Sequence, residues 1–277
     1  MTAGFALALA ASLSWGFGDF VNSFKTRTLG VLATLVPGQV AGLVVIAVIV
    51  GVRGHGWPGA HVLLAIPAAI GGTIGLAAFL RGVRAGAISV VAPLAGLSAV
   101  IPVVFGVATG DRISAAAGVG IAAAILGVML ASREPGGHGG GRFAAGAGWG
   151  LLAALGWGVY FPPLHAASRV DPYWAVLVFR CTSVVLCVGA LLIMRGRLPG
   201  RRELPIVAAA GLLDMAGNLL YGLASQRGVV STISVLASLY PIVTVALAML
   251  VLRERVSRLQ LVGTGLTFAG IGLISSS

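Results

Sequence analysis

The 277-residue chain is 58% hydrophobic and 9% charged, with a mean hydropathy of +1.04, whereas a soluble domain carries roughly 25% charged residues; a water-soluble fold is excluded. A spanning helix needs about 20 apolar residues, so this length holds on the order of ten such segments and leaves no room for a soluble domain. The net charge of +11 does not indicate nucleic acid, because the basic residues fall in separated loop clusters rather than on one wetted face.

Apolar runs broken by short charged or Gly/Pro punctuation predict spans at 3–22, 31–51, 62–82, 86–108, 114–132, 145–166, 173–194, 204–225, 229–251 and 258–275. The opening MTAGFALALAASLSW lacks the basic region of a secretory signal and is followed by nine more apolar segments, so it is read as a retained first span. The punctuation at Arg81–Arg84 and Gln226–Gly228 is tight, which makes the flanking helices antiparallel neighbours. Between the fifth and sixth spans the Gly-rich stretch SREPGGHGGG behaves as a flexible tether. It divides the chain into a first half at 1–132, a linker at 133–144 and a second half at 145–277.

The halves resemble each other. An offset of 142 sets Trp15-Gly16 on Trp157-Gly158, and an offset of 143 sets Arg84 on Arg227 and Asp111-Arg112 on Glu254-Arg255. Five spans is an odd number, so the second copy is inverted relative to the first. Inverted repeats are how many secondary transporters build two conformations around a site near the bilayer midplane, and the architecture therefore points to transport.

The early W-G pair of each half, Asp171-Pro172 followed by Arg180, Leu239-Tyr240-Pro241, and Leu252-Arg253-Glu254-Arg255-Val256-Ser257 before the last span together resemble the drug/metabolite transporter superfamily, in particular its ten-helix EamA-like exporters. The first half departs from the pattern: Gln39 stands where the second has Arg180, Asp111 replaces the usual Glu, and Ser98 stands at the Pro241 position. The resemblance implies a central cavity lined mainly by helices one, three, four, six, eight and nine. It also implies a recurring structural or coupling role for Arg180 and Glu254.

Charges inside a span cost about 2.5–3.5 kcal/mol on insertion scales and usually face the bundle interior. Asp214 is the deepest acid, and Asn218 and Tyr221 follow at i+4 and i+7 on its face. This stripe is expected to line the cavity, with Asp214 as a cation contact or proton carrier; packing between helices is the alternative. Asp19 shares a face with Trp15 and Asn22, and is either a cavity carboxylate or a shallow one near Lys25 and Arg27. In the sixth span Trp157, Tyr160, Phe161 and His165 can share an inward face, and Pro162-Pro163 is expected to break the ladder or kink the helix. Ser231, Ser234 and Ser238 before Pro241, with Ser89 near Pro93, are further cavity candidates.

Small-residue rows at Ala116, Gly120, Ala124 and at Gly265, Ala269 allow close packing within the chain, with a homodimer face as the alternative. Cys181 and Cys187, six positions apart in one span, fit neither a redox pair nor a metal site. The scattered His55, His61, His138 and His165 offer no metal spacing. Gly263-Thr264-Gly265 lacks both the third glycine and the preceding strand of a nucleotide fingerprint. No catalytic set, cofactor or metal is expected.

The expectation is a multi-pass secondary transporter of the cell (inner) membrane. Its partners are the lipid bilayer and a small-molecule substrate, with export of small metabolites such as amino acids through a central cavity. A multidrug or nucleotide-sugar carrier of the same fold is the alternative, followed by a membrane-embedded enzyme or a channel. Odd-numbered loops hold thirteen Lys and Arg against four in even-numbered loops, which places the odd loops in the cytoplasm and both termini outside.

Overall fold

The computed structural model describes residues 2–108, 110, 115–131, 145–253 and 257–275. The linker 133–144, Asp111-Arg112 and Glu254 lie outside the described residues. Among the described residues the fold is all-helical: α1 Thr2–Leu29, α2 Val31–Arg53, α3 Ala65–Ala85, α4 Ile88–Gly96, α5 Val100–Ala108, α6 Ala115–Ala131, α7 Ala147–Val170, α8 Pro172–Ile193, α9 Leu204–Ser225, α10 Val230–Ala237, α11 Tyr240–Val251 and α12 Arg258–Ser275. Helices occupy all ten predicted stretches. Among the described residues seven helical segments are long and apolar enough to cross a membrane: Ala3–Leu29, Val31–Arg53, Ala60–Ala85, Ile88–Gly106, Pro172–Ile193, Leu204–Ser225 and Val230–Val251. The chain is a multi-pass membrane protein.

Helix ends follow local chemistry more than charge. α1 runs seven residues past its predicted end and carries Lys25 and Arg27 within it, because the chain first turns at Gly30, whose φ of 89° suits a residue without Cβ. α8 opens on Asp171, which accepts from the backbone N–H of Tyr173 (2.8 Å) and Trp174 (3.0 Å), with Pro172 in the first turn where its missing donor costs nothing.

Of the two outcomes expected at Pro162-Pro163, a helix break is not found: α7 continues through both prolines as one helix, with Phe161, Leu164 and Ala167 buried around them. The interruptions lie elsewhere: a 3-10 turn at Leu97–Ala99 separates α4 from α5, and Ser238-Leu239 separates α10 from α11 ahead of Pro241.

The principal packing pairs are α1 on α9, α3 on α7, α2 on α8 and α9, and α6 on α12. Glycines permit these approaches. A Cβ on Gly211 of α9 would lie 2.2 Å from the Gly38 Cα of α2, and one on Gly156 of α7 would lie 2.7 Å from the Gly71 oxygen of α3. The expected small-residue rows are corrected in part. α12 meets Gly127 of α6 through Gly263 and Thr267, while Gly265 and Ala269 point outward, as does Ala116.

The helix ends define two faces. Lys25 meets Glu203 at 2.6 Å on the more basic face, and Arg53 meets Asp171 at 3.3 Å on the opposite one. Each pair joins connections of the same parity, as alternating antiparallel crossing requires. Near the basic face Val31, Leu35, Leu80, Val83, Ile88 and Leu191 share one apolar cluster. Toward the opposite face Val62, Leu164, Ala167, Ala175, Tyr221 and Ile233 share another.

Candidate functional site

Between these two apolar clusters lies a cavity that offers water about 40 Å³ of interior, within about 470 Å³ of empty space that includes its open mouth, lined from α1, α2, α3, α7, α8, α9 and α11. Its wall is mostly aromatic. Trp15 meets Tyr160, Phe161, Tyr221 and Tyr240 with ring centroids 6.0–6.2 Å apart. Trp157 meets Tyr240 edge-on at 5.3 Å, and Tyr160 meets Phe179 at 5.7 Å. Edge-to-face pairs of this kind stabilise by about 0.5–1.5 kcal/mol beyond area burial, so the wall is a preformed surface rather than a set of free side chains.

The polar part begins with Arg180. It is fully buried, its Nη1 donates to Gln39 Oε1 at 2.6 Å, and its Nη2 lies 2.8 Å from Asp214 Oδ2. A guanidinium in this position requires a counter-charge, and Asp214 supplies it from the cavity wall. Asp19, also on that wall and 7% exposed, has no cation within ion-pair reach among the described residues. The shallow alternative for Asp19 is thereby corrected: Lys25 is drawn away to Glu203, and Asp19 sits beside Trp15 in the cavity. Asn218 Oδ1 accepts from Trp15 Nε1 at 3.2 Å and from Tyr160 Oη at 2.9 Å, which ties α1, α7 and α9 at one point.

Of the residues predicted to bind substrate, Trp15, Asp19, Trp157, Tyr160, Asp214 and Asn218 line the cavity. Tyr221, Asn22, Ser234 and Ser238 do not. Tyr221 lies deeper toward the opposite face, where its hydroxyl donates to the Phe161 carbonyl at 3.2 Å and pairs with Ser234 Oγ at 2.8 Å. Ser238 bonds back to the Ser234 carbonyl at 2.7 Å, the local bond that serines in helices commonly make. Asn22 is buried one turn beyond Asp19 toward the basic face. Pro162, Pro163 and His165 lie past the cavity floor on α7, outside its lining.

The sequence reading missed Thr73, Leu76 and Phe179 as wall residues, and Gln39 only in part. Gln39 had a signal, its repeat relation to Arg180. Thr73, which donates to Ser183 Oγ at 2.8 Å, and Phe179, beside Arg180 in sequence, had none of their own. Among the described residues no group of three His, Cys, Asp or Glu side chains could hold a metal ion.

A bundle of membrane-spanning helices around an aromatic, carboxylate-bearing cavity has the architecture of small-molecule membrane carriers. The EamA-like transporter family matches residues 144–276, and the chain belongs to that family. An uncharacterized protein of Methanocaldococcus jannaschii is 30% identical over 129 residues, which are 46% of this chain and 94% of the relative. A crystal structure titled only as that of a protein superposes with a TM-score of 0.70 at 17% identity, covering 99% of this chain and 96% of that one. That likeness shows a shared fold and nothing of ligand.

Proposed function

We propose that the chain is a ten-span secondary transporter of two inverted halves, 1–132 and 145–277 joined by 133–144. In this reading it exports small metabolites, amino acids first among them, across the cell (inner) membrane by alternating access. The observation that carries the reading is a small aromatic cavity with two carboxyl groups on its wall, held between two apolar clusters, one toward each face. A channel would need a continuous polar path, whereas a carrier needs a site that one seal or the other can expose.

The packing supports the repeat as well. α1 on α9 mirrors α7 on α3, α2 meets α8, and α6 meets α12, so each helix meets either its counterpart or its counterpart's partner. Gln39 and Arg180, 141 positions apart, touch directly, as residues beside a two-fold axis would.

Asp214 neutralises Arg180, which leaves Asp19 as the carboxyl available to a cargo ammonium or a driving proton. Arg180 is committed to Asp214 and Gln39 and offers no spare charge to a phosphorylated cargo, which disfavours the nucleotide-sugar alternative. The test is counterflow in proteoliposomes against amino acids, drugs and nucleotides. Saturable exchange of an amino acid supports the reading, and absence of counterflow with every class overturns it.

A further inference from the structure

Asn218 lies one turn past Asp214 on α9, is 2% exposed and lines the cavity. The atom facing Trp15 has to be the amide oxygen, because an indole N–H can only donate, and Tyr160 donates to the same oxygen. This orientation leaves Nδ2 with two N–H donors and no acceptor within hydrogen-bond reach. None of the other polar groups on the wall, Asp19, Gln39, Thr73 and Asp214, lies within hydrogen-bond reach of it. The cavity therefore carries a carboxyl acceptor at Asp19 and an unfilled neutral donor at Asn218, with aromatic rings around both.

We propose that Asn218 is the specificity-determining residue of this cavity, selecting cargo that bears a carboxylate or carbonyl oxygen to accept from Nδ2. Trp15 and Tyr160 are its positioning residues. The inference rests on the transport reading of the same cavity. An amide nitrogen cannot accept, so a bare ammonium gains nothing there, while a carboxylate gains a charge-assisted bond.

The test uses the purified full chain in detergent and calorimetric titration with three probes of one apolar body: L-leucine, 4-methylpentanoate and isoamylamine. Wild type should bind L-leucine more tightly than either probe that lacks one of its two charged groups, since Asp19 meets the ammonium and Asn218 the carboxylate. Asn218→Asp keeps an oxygen for Trp15 and Tyr160 while removing the donors, so leucine and 4-methylpentanoate should weaken about tenfold or more while isoamylamine holds or tightens. Asn218→Leu introduces no charge and should lose the same carboxylate preference. Tyr160→Phe leaves Asn218 in place but loosens its amide, and should narrow the ratio even if both Asn218 variants fail to fold.

A carboxylate-to-amine affinity ratio unchanged across the folded variants overturns the proposal, as does wild type that binds leucine no better than isoamylamine or binds none of the three. Binding with the stated pattern but no flux in vesicles would remove the transport reading and leave the selector standing. Flux with an unchanged ratio would do the reverse.

Discussion

Asp214→Asn removes the counter-charge of a fully buried arginine. Arg180 would retain Gln39 Oε1 at 2.6 Å and a neutral amide oxygen in place of a carboxylate. Breaking one partner of a buried pair costs about 3–5 kcal/mol, because the remaining charge stays desolvated. The Asp214 side chain is 19% exposed to the cavity, so water can reach it and the low end, about 3 kcal/mol, is the expected figure. At about 2–4 °C per kcal/mol the midpoint of thermal unfolding should fall by roughly 6–12 °C, read by heating the detergent-purified variant and measuring the surviving monodisperse fraction. The double variant Arg180→Met with Asp214→Leu removes both charges together and should recover most of the loss. A single Asn variant within about 2 °C of wild type, a fraction of the shift expected at that scale, would refute the ion-pair argument. A double variant no more stable than the single one would refute it equally.

Three further outcomes are expected. Asp19→Asn should abolish concentrative uptake driven by a pH gradient while sparing cargo exchange if only the proton is held there; unchanged pH-driven accumulation in vesicles would count against Asp19. Gly211→Val forces a branched side chain onto the Gly38 backbone, where even a Cβ lies 2.2 Å from Cα, and should drive α2 from α9 and collapse the yield of folded protein; normal yield and stability would show that the contact is loose. A C-terminal reporter should be active only outside the cytoplasm, since the more basic face collects the odd connections; cytoplasmic activity would invert the orientation.

The helices were legible because a bilayer forces long apolar runs, and their ends blurred where α1 and α3 carry Lys25, Arg27, Arg81 and Arg84 within the helices, Arg27 and Arg84 in the last turns. Helical periodicity sets azimuth but not depth. That is why Asp214, Asn218 and Tyr221 share a face while only the first two reach the cavity. A proline reports a missing donor, yet whether the helix ends there depends on what packs around it, so α7 runs on through Pro162-Pro163 while the turn at Leu97–Ala99 passed unnoticed. The pairing of Arg180 with Asp214 joins two helices across the fold, and nothing local in either segment announces it. Gln39 could be anticipated only through the repeat, which relates positions that no spacing rule connects.

If the halves are related by a two-fold axis as proposed, the contact between Gln39 and Arg180 also bears on why they share one chain. A residue beside a two-fold axis meets its own copy, so a bundle assembled from two identical half-length chains must present the same side chain twice at that point. Two arginines would repel across 2.6 Å, and two glutamines would leave Asp214 without its cation. The M. jannaschii relative, matched over 94% of its length by 46% of this chain, has the size of a single half. Linking the halves covalently lets one side of the axis keep the charge and the other the acceptor, an asymmetry that identical subunits are denied.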